Sequence, residues 1–207
     1  QATISPAQER EAWEAASRAA ELAPGASPGE QALIEALGVR YRPDRSQGES
    51  RAPQDTAYAQ AMARVVAAHP HDLDAAMLHA EALMVLSPWD FWDAEGSPRP
   101  GTLEAVALLE SVLGRDLAHP GACHLYIHLV EASPDPGRAA PCATLLETAI
   151  PGVSHVAHMP AHVFMRIGRY GDAVRGNLLA WHADQQAAFG GPDGVYPSHN
   201  LHMLSFA

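Results

Sequence analysis

The stretch His119-Pro120-Gly121-Ala122-Cys123-His124-Leu125-Tyr126-Ile127-His128-Leu129-Val130-Glu131 sets two imidazoles and a carboxylate at helical spacing. In a helix starting near Pro120, His124, His128 and Glu131 stand at i, i+4 and i+7, within an arc of roughly 60°. Such a stripe makes a poor core face and a good start to a metal site. His158-Met159-Pro160-Ala161-His162 and His199-Asn200-Leu201-His202 repeat the theme at i+4 and i+3, spacings that let both rings of a helix point one way. Imidazole suits zinc, copper, iron and nickel, whereas an all-oxygen set would suit magnesium or calcium. With so few thiolates, a cysteine-based structural zinc is disfavoured. His128-x-x-Glu131 is the reverse of the Glu-x-x-His pair of carboxylate-bridged di-metal bundles, and the histidine excess favours copper, zinc or a histidine-rich iron site instead.

The expected ligands are therefore His124, His128, His158, His162, His199 and His202, around one or two transition-metal ions. Glu131 is expected as a bridging ligand or general base, with His79 and Glu81 in reserve. Pro160 predicts the first turn of a helix, leaving His158 at its N-cap and His162 on that turn. The helix N-terminus would then favour the neutral ring, the form that a metal needs. Arg166, one turn after His162, is expected on the same face, orienting Glu131 or binding an anionic substrate. Tyr126, Tyr196 and Trp89 are further donors that could stand behind the ligands. His69, His71, His119, His155 and His182 read as satisfied core histidines. The competing reading of the paired motifs is the hydrogen-bonded polar lining of a peptide-binding groove.

The elements that must position these groups are all helical. Alanine- and leucine-rich segments with helical spacing recur, and strand-like alternation is missing. Ser5 caps a helix over Pro6–Leu22, with Glu9 completing a capping pattern. A second runs over Pro28–Gly38. The polar, breaker-rich residues 42–53 read as a loop. Helices follow over Gln54–Ala68 and, capped near Asp72, to Leu86. Residues 87–101 crowd Trp89, Phe91 and Trp92 among prolines and carboxylates, either as a cluster packed under a loop or as the lining of a pocket. Further helices are expected over Thr102–Ala118, Pro120–Ala132, Pro136–Ile150, Met159–Gly168, Gly171–Phe189 and from Ser198 onward. Short connections between consecutive helices imply antiparallel neighbours.

Composition excludes several functions. The 207 residues carry 13 Arg, no Lys and 24 acidic groups, a net charge of −11. That balance argues against nucleic acid or an anionic membrane as partner. No apolar run approaches the length of a membrane span. Nine of the 12 His follow residue 118. The chain begins at Gln1 without Met, as expected of an export leader removed or of an internal fragment. It closes on an uncapped apolar pattern, so a continuing solenoid or a second copy is expected at that end. Cys123 and Cys142 fall on neighbouring helices and are either a disulfide of an exported protein or two buried thiols.

Two His-Pro helix junctions, at His69 and His119, lie 50 residues apart. Gly168-Arg169-Tyr170-Gly171-Asp172-Ala173 has the spacing of a tetratricopeptide turn, whose nominal period is about 34 residues. The extra length is the aromatic segment. The reading is all-α: a single tetratricopeptide-like, right-handed α-solenoid of antiparallel helix hairpins with an aromatic insertion, alternate helices lining one concave groove. The strings Ala80-Glu81-Ala82-Leu83-Met84, Pro88-Trp89-Asp90-Phe91-Trp92, His119 through His128, His158 through His162 and Tyr196 through His202 resemble those of a group of bacterial tetratricopeptide-repeat proteins. The resemblance implies the same fold over residues 55–207, an exported location and a longer parent chain, and names no reaction. Function is expected to be transition-metal binding with oxidoreductase or hydrolase chemistry on a small molecule or peptide in the groove. The alternatives are a peptide-binding scaffold without catalysis, and metal storage or delivery.

Overall fold

A computed structural model describes residues 4–150, 152–188 and 197–207. Among them are ten α-helices and no strand, the sole β-type pairing being one antiparallel bridge between Trp92 and Pro98. The helices are α1 (Pro6–Leu22), α2 (Pro28–Gly38), α3 (Ala52–Ala68), α4 (Leu73–Leu86), α5 (Thr102–Arg115), α6 (Pro120–Val130), α7 (Ala140–Ala149), α8 (Ser154–Arg166), α9 (Tyr170–Ala188) and α10 (Pro197–Phe206). The chain divides into two compact units, Gln1–Phe91 with Pro100–Leu108, and Trp92–Arg99 with Leu109–Ala207. The division falls within α5.

In the first unit, consecutive helices pack on one another from α1 through α4. Ala36, Tyr58, Met62, Val65, Ala75 and Ala82 form its core. Ser5 and Ser27 start α1 and α2 with reciprocal capping boxes, each satisfying two otherwise orphaned N–H groups. The partner of Ser5 is Gln8 rather than the expected Glu9. Glu9 turns inward instead: it is fully buried, with Arg45 against one oxygen and Arg51 2.9 Å from the other. Burial alone would raise its pKa, but the two guanidiniums hold it below the ordinary carboxylate range. The loop after α2 is thereby tied to α1.

The second unit is built to hold α6 and α8. Consecutive helices from α6 to α10 pack on one another, and α6 also touches α8. A disulfide between Cys123 and Cys142, with Cα atoms 4.9 Å apart, staples α6 to α7 next to His124. At the other end of α6, the Trp92 indole donates to the Leu129 carbonyl at 2.7 Å, satisfying one of the acceptors that a helix C-terminus leaves unpaired. The aromatic segment therefore packs back onto α6 through Trp92. Its turn needs Gly96, whose φ is +80° and where a Cβ would meet Pro134 at 2.7 Å. Trp89, by contrast, is exposed.

Against α8, helix α9 presents Ala173, Gly176, Asn177 and Ala180. The three at 173, 177 and 180 are fully buried, and a Cβ on Gly176 would stand 3.4 Å from the Ala157 carbonyl. Small residues bring the two backbones close enough for the short Asn177 side chain to reach into α8. Helix α8 begins at Ser154, well before the expected start at Met159, and Pro160 lies inside it. Without an N–H, Pro160 cannot donate to the Val156 carbonyl. The helix continues because residues on both sides of Pro160 along the chain are buried: Ala157, Met159, Ala161, Val163 and Phe164.

A candidate metal centre

Helix α6 presents His124 and His128, and Glu131 follows as its C-cap. Because α8 starts at Ser154, His155, His158 and His162 fall at i, i+3 and i+7, a second stripe as narrow as the first. Helix α10 adds His199. These seven groups meet. The six rings form two clusters, His124 with His128 and His155, and His158 with His162 and His199, whose candidate ligand atoms lie within 4.8 Å of one another in each cluster.

Distances within the second cluster are tight. His158 Nε2 is 2.7 Å from His162 Nε2 and 3.0 Å from His199 Nε2. Two imidazole nitrogens bound to one ion at about 2.0–2.1 Å stand roughly 3 Å apart. In the first cluster, His124 Nε2 and His155 Nε2 are 3.1 Å apart, and the His128 ring lies 4.9 Å from that of His124 and 5.6 Å from that of His155. The clusters adjoin, with ring centroids 6.2 Å apart for His128 and His162 and 6.5 Å for His155 and His158.

The groups behind the rings fix their tautomers. Asn177 Nδ2 donates to the Ala173 carbonyl at 2.9 Å, so its oxygen faces His158 and accepts from Nδ1–H at 2.7 Å. Nε2 of His158 therefore carries the lone pair. His162 Nδ1–H donates to Glu131 Oε2 at 2.6 Å, which leaves the Nε2 of a neutral His162 as a lone pair too. The other Glu131 oxygen lies 3.8 Å from His128 Nδ1, so one carboxylate stands behind a ring of each cluster. The Nε2 atoms of His158, His162 and His199 come together. One cation at their centre serves all three.

The electrostatics favour neutral rings. Burial, reinforced by the neighbouring rings, pushes His124 and His158 down to about 3 and His155 down to about 4. His199 is lowered in the same way. The cause is desolvation and crowding rather than the helix N-terminus expected from Pro160, which the early start of α8 removes. Burial raises Glu131, but the nearby rings of His128 and His162, the latter hydrogen-bonded to it, outweigh that effect and hold the carboxyl at about 2. His124, His155, His158 and His199 are thus held neutral beside one carboxylate, the condition in which nitrogen ligands bind metal.

Other expected site residues lie elsewhere. His202 packs its ring on Phe206 at 4.9 Å and belongs to neither cluster. His79 and Glu81 lie on α4 in the first unit and likewise belong to neither; His79 is buried, and that burial lowers its pKa against the pull of Glu104. Arg166 is exposed, and the rings of His162 and His128 meet the Glu131 oxygens. The Tyr126 hydroxyl donates to Glu110 at 2.6 Å, where Arg138 also binds. Tyr196 lies outside the described residues. Of the five presumed core histidines, His119 accepts from Ala122 N–H as the cap of α6, and His71 and His182 are exposed. His155 joins the first cluster. Its spacing to His158 and His162 was the available signal, masked by placing the helix start at Met159. Nothing in the sequence marks Asn177.

No family model matches this chain, and neither does any curated protein or any solved structure.

Proposed function

We propose that this protein is a metalloprotein binding two transition-metal ions side by side. His124, His128 and His155 would hold one, and His158, His162 and His199 the other. The convergence of three Nε2 atoms around His158, with its tautomer set by Asn177, carries this reading. Three imidazoles leave a coordination position open on each ion, the pattern of a catalytic rather than a structural site. The chemistry is oxidoreductase or hydrolase chemistry on a small substrate, with the metal supplying Lewis acidity or electrons. Glu131 stays behind the rings as an orienting carboxylate and raises their basicity. A tetratricopeptide-like solenoid is the architecture proposed for the chain, supported by the serial packing of neighbouring helices. An exported location is supported by the Cys123–Cys142 disulfide.

Elemental analysis of untagged protein tests this reading. About two equivalents of copper, zinc or iron per chain are expected, with His124→Ala and His158→Ala each retaining about one. Metal should also raise the thermal midpoint of the unaltered chain, because only the folded state assembles the ligands. Less than about a tenth of an equivalent after incubation with each metal, with no thermal shift, would overturn it.

A further inference from the structure

We propose that the two histidine clusters form one dicopper centre whose substrate is dioxygen, bound between two cuprous ions. The inference rests on the metal-binding reading above and adds the identity of the metal, the coupling of the ions and the class of ligand.

Three observations lead there. The donor set facing the ions is wholly imidazole, since Glu131 directs its oxygens to the Nδ1 atoms of His162 and His128. Six neutral donors bring no negative charge to ions placed close together in a largely buried site. Repulsion between two divalent ions is about four times that between two monovalent ions at the same separation. Imidazole suits copper among the common metals, and copper alone of copper, zinc and iron is readily monovalent. The resting charge balance therefore selects a cuprous pair.

The clusters also adjoin closely enough to act together. Rings within a cluster lie 4.6–5.7 Å apart, and rings facing each other across the boundary lie 6.2 and 6.5 Å apart. Four rings, His128 and His155 on one side and His158 and His162 on the other, frame that boundary. A ligand of one or two atoms there would touch both ions. Glu131 links the halves from behind, through one ring of each cluster.

The rings, finally, are largely buried. His158 is fully buried, and the side chains of His128 and His162 keep only 11% and 15% of their exposure. Ligands whose donors are this buried suit a small molecule better than a peptide. In the binding step each cuprous ion gives one electron to dioxygen. The oxygen–oxygen double bond becomes a single bond, two copper–oxygen bonds form, and the product is peroxide between two cupric ions. Atoms and charge balance without a proton or further reductant.

The test loads the full chain with Cu(I) anaerobically and then admits dioxygen. Expected is uptake of about two coppers and then about one dioxygen per chain, with the oxidised product silent in electron paramagnetic resonance because the two cupric spins couple. His155→Ala should abolish dioxygen uptake while leaving copper in the other cluster. Two bound coppers that ignore dioxygen, or that oxidise to two independent cupric signals, would overturn the dioxygen proposal and leave the metal-binding reading standing. Failure to bind copper while two zinc ions bind would overturn it equally. Failure to bind any metal would remove both.

Discussion

Asn177 decides which nitrogen of His158 carries the proton, and it does so from a helix whose sequence gives no hint of the role. Its amide is turned by the Ala173 carbonyl, and the ring follows. Asn177→Leu should keep the helical content, by circular dichroism, and weaken metal binding about 10–100-fold in a competition titration. Unchanged affinity would remove tautomer control from the account. A second expectation at this scale concerns acid. His124, His155 and His158 sit at about 3, 4 and 3 in the folded chain, against an ordinary value of about 6.5. Between these values the unfolded chain binds more protons, so stability rises with pH. Metal-free protein should show its full histidine contribution above about pH 6.5 and lose it progressively as pH falls toward about 3, measured as a falling urea midpoint. A midpoint flat over that window would contradict the neutral buried rings.

At the scale of elements, the disulfide and the small-residue contact hold α6, α8 and α9 in register for the site. The Cys123–Cys142 bridge closes a loop with a sequence separation of 19, so Cys123→Ser with Cys142→Ser should lower stability by roughly 3 kcal/mol, read by denaturant unfolding of metal-free protein. An effect below about 0.5 kcal/mol would mean that packing alone holds α6 to α7. Much of this layer was legible in the sequence where the chemistry is local. Ser5, Pro28, Asp72 and Pro120 mark helix starts that the structure reproduces, because caps and first-turn prolines act within a few positions along the chain. The reading of α8 failed for the converse reason. Pro160 is a strong local signal for a first turn, but burial on both sides of it outweighs one lost hydrogen bond. That single misplaced boundary hid His155 and gave the wrong cause for the low ring pKa values. The inward turn of Glu9 was equally hidden, since its partners Arg45 and Arg51 lie a loop away.

For the molecule as a whole, the chain is all helical among its described residues, and every group of the candidate centre belongs to the second unit. No described helix is long and apolar enough to cross a membrane. The histidine enrichment after residue 118 pointed to this region from the sequence alone; the division of six rings into two trios did not, because it depends on how α6, α8 and α10 cross. That division is the central claim. It is tested most directly by anomalous diffraction from crystals of the metal-loaded chain, recorded at the absorption edge of the bound metal. The account predicts two peaks, each about 2.0–2.1 Å from three imidazole nitrogens, one among His124, His128 and His155 and one among His158, His162 and His199. A single peak, or peaks held by surface carboxylates with the six rings free of metal, would contradict it.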